Sequence, residues 1–263
     1  MKTLISFDFD FFVRENPLWD WGHSENKAMF LTLLWGIRYS DKKLYEECDP
    51  AKYADFMPED TLLKLIKMGF TFKKKPLLYV SESHKDIYEV ARGLERSEIY
   101  HFDAHHDLYD DGGDLNCGNW GIKAIEQGLV EKYIWVAPEW GKEYDMMDLS
   151  DYCLTDEIQG HYYNDFLKIR EKAKPIDIDA IFICRSGAWV PPHLDEHFFK
   201  MARGMSCFSG KAEIIGQLID RKGYVPTKEE AAKQYKKQQK IYKGLKTSWA
   251  KTQSQKVSAK EVA

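Results

Sequence analysis

The chain has 263 residues, a formal net charge of -4 and 44% apolar residues, enough to fill the core of one large α/β domain or two small ones. The acidic balance gives no general footing for nucleic acid or an anionic membrane surface, and no stretch approaches the roughly 18 apolar residues of a membrane span. Two aspartates inside the N-terminal apolar run exclude a secretory core there, and five cysteines (Cys48, Cys117, Cys153, Cys184, Cys207) without a Cys-x-x-Cys spacing point to reduced thiols in a cytoplasmic protein.

In chain order, short β-rich runs are expected at residues 3–12, 77–81, 98–105, 133–138 and 179–186, each apolar as in a sheet covered on both faces. Helical patterns lie between them at 25–39, at 58–70 with Pro58 in first position, and at 85–97, 119–130 and 163–173, with Pro58 placed where a helix tolerates it. Strands alternating with helices predict an α/β fold with a parallel sheet between helical layers. From Lys228 the composition turns to Lys and Gln, so one domain over 1–227 is expected, followed by a charged helix and tail over 228–263.

Residues 100–121 read YHFDAHHDLYDDGGDLNCGNWG. In an open parallel sheet, ligands bind beyond the carboxyl ends of the strands, and this apolar run ends there in Asp103, His105 and Asp107. If the backbone stays extended, side chains two apart share a face. Such crowding of acids and imidazoles at the end of a buried strand is costly without a cation, and a divalent ion turns the cost into binding. The run LISFDFDFF makes the same demand, with Asp8 and Asp10 two apart in an otherwise apolar strand. His84, in YVSESHKDIYEV, falls at a strand-to-helix junction on the same sheet edge.

DAHHD at 103–107 resembles the Asp-Ala-His-x-Asp signature of the ureohydrolases, the arginase and agmatinase superfamily, and SFDFD at 6–10 resembles its Ser-x-Asp-x-Asp signature. The segments DFDFFVRENP, HFDAHHDL, VAPEWG and ICRSG are similar to the peptide arginases, which convert arginine to ornithine in ribosomally made, post-translationally modified peptides. In ordinary arginases the Ser-x-Asp-x-Asp strand comes roughly a hundred residues after the other motif, and here it comes first, which implies a circular permutation. The resemblance implies a three-layer αβα arginase-like fold with a central mainly parallel sheet. It implies two Mn2+ ions, one held by His84, Asp103, Asp107 and Asp8, the other by Asp103, His105, Asp8 and Asp10. Carboxylate-rich sets suit manganese, with other first-row divalent ions chemically compatible. The implied enzyme is a hydrolase of linear amidines, acting on an arginine-containing precursor peptide to give ornithine and urea, with Asp107 also holding the attacking water.

The remaining roles stay open. Where ordinary arginases carry a proton-shuttle histidine, this chain has Trp120, leaving Asn119 as a substrate contact and His106 or His23 as shuttle candidates. For the acid that receives the guanidinium, Glu25, Glu82 and Glu139 are candidates, and NPLWDWGH and APEWGKEY supply aromatic groups for a peptide groove. Two rival functions fit parts of the pattern: a haloacid-dehalogenase-like phosphatase using Asp8 as nucleophile and Asp10 as acid, or a non-catalytic, metal-stabilised peptide-binding protein.

Overall fold

The computed structural model describes residues 1–14, 28–41, 43–109, 112–145, 147, 157–221, 225–227 and isolated positions between 229 and 240. Seven strands form the main sheet: β1 (Lys2–Asp8), β3 (Leu77–Ser81), β4 (Ser97–Phe102), β5 (Val130–Ala137), β6 (Ile158–Tyr162), β8 (Ala180–Cys184) and β9 (Lys211–Ile215). Their order is β6-β5-β4-β1-β8-β3-β9, and every neighbouring pair is parallel. A second, two-stranded sheet pairs β2 (Phe70–Thr71) with β7 (Ile176–Asp177).

Alternation along the strands builds two cores. Ile5, Phe7, Tyr100, Phe102, Ile181 and Ile183 face one side, where α1 (Ala28–Arg38), α4 (Thr61–Lys67), α7 (Tyr163–Glu171) and α8 (Asp195–Ser206) pack through Leu34, Leu65, Phe166 and Phe198. Leu4, Ile99, Tyr133, Trp135 and Phe182 face the other, covered by α5 (Ile87–Leu94) and α6 (Trp120–Glu126) through Val90, Ala91 and Ala124. Short helices α2 (Leu44–Glu47) and α3 (Pro50–Tyr53) complete the first layer's chain order. The result is an α/β fold with a parallel sheet between helical layers. Among the described residues, no helix is long and apolar enough to cross a membrane.

The expected strand at 3–12 stops at Asp8, whose carboxylate accepts from the Asp10 N–H and caps a 3-10 turn over Phe9–Phe12. An Asp side chain competing for nearby backbone donors ends the ladder there. The expected strand at 98–105 likewise stops at Phe102, and Asp107 adopts a left-handed backbone, φ 53°. Strands β6 and β9 and helix α8 have no counterpart among the expected elements. No disulfide joins Cys48, Cys117, Cys184 or Cys207 among the described residues, while Cys153 lies outside them. Of the expected C-terminal helix and tail, the described positions from 229 to 240 are helical and exposed, and the rest lies outside the described residues.

Candidate metal centre

Strand order brings the two signature segments together. Because β1 lies between β4 and β8, the ends of all three discharge their side chains into one space at the carboxyl edge of the sheet. His84 enters from the 3-10 turn that follows β3. His101 is the penultimate residue of β4, and Asp103 to Asp107 leave its end.

Five side chains converge in the interior. The Nδ1 of His84 lies 2.8 Å from Asp103 Oδ2, 3.0 Å from Asp107 Oδ2 and 3.1 Å from Asp8 Oδ2. The Nε2 of His101 lies 3.1 Å from Asp103 Oδ2 and 3.6 Å from Asp107 Oδ2. A second group adjoins it, where His105 Nδ1 stands 3.1 Å from Asp10 Oδ2 and 3.6 Å from Asp103 Oδ1. His84, His101, Asp103 and Asp107 could thus hold one metal ion, and Asp10, Asp103 and His105 another, with Asp103 common to both.

In the outer group His105 Nδ1 and Asp10 Oδ2 are hydrogen-bonded, whereas the inner imidazoles lie near their carboxylates without hydrogen-bond alignment. His84 Nδ1, both ring nitrogens of His101 and Asp103 Oδ2 are buried and have no hydrogen-bond partner among the described residues. Leaving one such group unsatisfied costs about 1–3 kcal/mol, so four together call for a missing partner. Ligands about 2.1 Å from one cation stand about 3.0 Å apart in an octahedron and about 3.4 Å apart in a tetrahedron. The observed N···O separations of 2.8 to 3.6 Å span that range, so the residues fit a divalent ion.

Outer contacts hold the ligands in place, as they do in metal sites generally. Ser6 Oγ lies 2.9 Å from His84 Nε2. Ser186 Oγ donates to Asp8 Oδ2 at 2.8 Å, and the Trp120 indole N–H donates to Asp107 Oδ2 at 2.5 Å. The Gly121 N–H donates to the Asp107 carbonyl at 3.0 Å, and a Cβ at Gly121 would lie 2.8 Å from that oxygen. Glycine is therefore required for the close approach that fixes the strained turn at Asp107.

The electrostatics are those of acids and imidazoles crowded together in the interior. Burial disfavours a charged His84, but Asp103, Asp107 and Asp8 outweigh it and hold the imidazole well above its ordinary pKa. Burial, then the charges of Asp103 and Asp8, push Asp10 well above the carboxylate range, and burial with the Asp103 charge raises Asp107. Burial would also raise Asp103, yet His101, His105 and His84 draw it well below that range. Protons and imidazolium charge thus offset the cluster where a metal would otherwise do so.

All six expected ligands meet here. Asp8, Asp10, His84, Asp103, His105 and Asp107 occupy the cluster, although Asp8 and Asp10 converge through a capped turn and 103–107 through a loop rather than along extended strands. His101 joins them without having been singled out, and Trp120, noted in the sequence only for standing where a shuttle histidine would, joins them through its indole N–H. His101 continues the i, i+2 spacing of 103, 105 and 107 backward by one step, a signal present in the sequence.

The other expected site residues are engaged elsewhere or lie outside the description. His106 Nδ1 accepts from the Leu108 N–H, its ring packs against Tyr109 and Trp135, and burial lowers its pKa to about 4. Asn119 accepts from the Asn116 N–H and donates to the Asp114 carbonyl, bracing the loop ahead of α6. Both Glu82 oxygens are taken by Arg185. Glu139 pairs with Lys142 and caps the Asn164 N–H. His23 and Glu25 lie outside the described residues.

Comparison with protein-family models, curated proteins and solved structures finds no match for this chain.

Proposed function

We propose that the chain is a dinuclear metal hydrolase of the ureohydrolase kind, circularly permuted, which converts arginine side chains of a peptide to ornithine and releases urea. The observation that carries this reading is the pair of adjoining ligand groups that share Asp103. The central position of the first strand supports the permutation, since it lets an N-terminal Ser-x-Asp-x-Asp segment reach the DAHHD loop.

Divalent cations, manganese by the resemblance, would supply charge stabilisation and a nucleophile from water near neutral pH. This chain's residues would hold them: His84, His101, Asp103 and Asp107 with Asp8 beside them on one side, Asp10, Asp103 and His105 on the other. Ser6, Ser186 and Trp120 keep the ligand atoms aimed. Among the ligand side chains His105 is the most open, 24% exposed, and the half-buried Trp189 ring lies 5.0 Å from it. A guanidinium would enter on that side, where an indole face favours a cation. The reaction consumes one water, breaks the bond between the guanidinium carbon and the side-chain nitrogen, and leaves an ammonium and urea.

The test is to incubate manganese-loaded protein with an arginine-containing peptide, with free arginine and with a phosphopeptide, and to follow mass and phosphate. A loss of about 42 Da per arginine residue, the change for guanidine-to-amine hydrolysis, is expected, and Asp103→Ala should abolish it. Unchanged peptide mass with metal bound would replace the reading with a binding protein. Phosphate release without urea would replace it with a phosphatase.

A further inference from the structure

The two halves of the centre differ in donor chemistry. The inner group has two imidazoles, His84 and His101, with the carboxylates of Asp103 and Asp107 and that of Asp8 3.1 Å from His84, all buried, with side chains between 0% and 5% exposed. The outer group, Asp10, Asp103 and His105, has one imidazole, and that one is 24% exposed. His101 makes the difference. Its ring is enclosed by His84, Trp120 and Tyr133 at centroid distances of 4.8, 5.2 and 5.4 Å, it is 0% exposed, and neither nitrogen has a hydrogen-bond partner among the described residues. An imidazole buried in an aromatic cage, with Nε2 3.1 Å from a carboxylate oxygen and no aligned bond, is positioned as a ligand. A packing residue at that place would be better served by phenylalanine.

We propose that His101 ligates metal and makes the inner half a nitrogen-rich site for a borderline cation of the zinc or iron(II) class, while the outer half takes a hard cation of the manganese class. Imidazole donors favour the first class and carboxylate or water donors the second. The inner ion, with no exposed ligand, exchanges slowly; the outer ion, held beside open His105, exchanges readily. The inference rests on the cluster being a metal centre and is independent of which substrate is hydrolysed.

The test uses Zn2+ and Mn2+ as probes on the full chain, comparing the parent with His101→Phe, whose ring fits the same aromatic cage, and with His101→Gln. After one equivalent each of zinc and manganese, native mass spectrometry should show one zinc and one manganese per chain. Zinc-edge X-ray absorption should show the outer-shell scattering of two imidazoles per zinc in the parent and of one in His101→Phe. Zinc affinity should fall at least about tenfold in both variants, the scale of loss seen when metal-site residues are altered, while manganese affinity at the outer half stays within about twofold of the parent. One imidazole per zinc in the parent, a statistical mixture of dizinc and dimanganese chains, or unchanged zinc affinity in His101→Phe would overturn the proposal. Because none of these readouts involves urea, a protein that binds the two metals as described and hydrolyses no arginine would remove the proposed function and leave this inference standing.

Discussion

Arg185 and Ser186 are neighbours in the chain, yet they serve two buried charge clusters built in different ways. Toward β9, Arg185 reaches Glu82 with both Nε and Nη2, Asp195 Oδ2 at 3.1 Å, and the Ile219 carbonyl. Arg221 reaches both oxygens of the same Asp195 and the carbonyls of Gly187 and Val190 at 3.0 and 2.7 Å. Toward β4, Ser186 supports Asp8 in the candidate metal centre, where the His84 and His101 imidazoles lie close to carboxylates without aligned bonds. The first cluster is complete because guanidinium forks match carboxylates and every guanidinium nitrogen of Arg185 and Arg221 has a partner. The second sets carboxylates against imidazoles, and His84 Nδ1, both His101 nitrogens and Asp103 Oδ2 are buried there without a hydrogen-bond partner among the described residues. Buried acidity alone therefore does not mark a metal site; unaligned donors of mixed type do.

The comparison breaks first at Arg185. Replacing it by Met leaves Glu82, 2% exposed, without its partner in the interior, and removing one member of a buried pair costs about 3–5 kcal/mol. Urea denaturation of Arg185→Met should show that loss. Zinc added in excess should raise the melting temperature of parent and variant alike, because the ion binds the other cluster. A variant as stable as the parent would show that the arginine network does not complete itself as described.

A smaller effect is expected on the metal side from Trp120→Phe. The substitution keeps the aromatic bulk of a residue that is 0% exposed and removes only the N–H that Asp107 Oδ2 accepts. Removing such a contact to a ligand costs metal affinity about 10- to 100-fold in other sites. Zinc affinity measured against a competing chelator should fall within that range while the denaturation midpoint of the metal-free protein moves little. Unchanged affinity would mean that the backbone turn at Asp107 alone holds the ligand.

The same contrast explains what could be read from the sequence. The central strands β1, β3, β4, β5 and β8 are buried on both faces, and burial writes itself as apolar runs. The edge strands escaped because the pattern fades with the burial: β9 is exposed at four of five positions and β6 is half-buried throughout. Helix α8 does carry a core face in Phe198, Met201 and Met205, but acids and basic residues fill the gaps and mask it. In the metal centre, Asp8, Asp10, Asp103 and Asp107 stood out because charge inside an apolar run needs a reason. His101 did not, since one imidazole flanked by Tyr100 and Phe102 resembles a run of core aromatics. Trp120 was legible only as a residue unable to shuttle a proton; that its indole N–H would orient a carboxylate thirteen residues earlier depends on the left-handed turn at Asp107, which no periodicity announces.

The finest separation of the two clusters is their response to pH. The arginine network already pairs its carboxylates with guanidinium groups, so ions added to the protein displace nothing from it. In the metal-free centre His84 is held well above its ordinary pKa by Asp103, Asp107 and Asp8, which outweigh its burial, and burial with neighbouring carboxylates raises Asp10 and Asp107. Each of these groups must give up its proton to become a ligand. Lower pH favours the protonated forms that compete with the metal, so affinity should fall as pH falls and rise as pH rises, about tenfold per pH unit for every proton displaced. Calorimetric titration of zinc between pH 6 and 8, in buffers of different ionisation enthalpy, counts those protons directly. A binding constant flat across that window would mean that the protons on His84 and the two aspartates do not stand where the cation goes, and the cluster would then resemble its arginine neighbour in being complete without one.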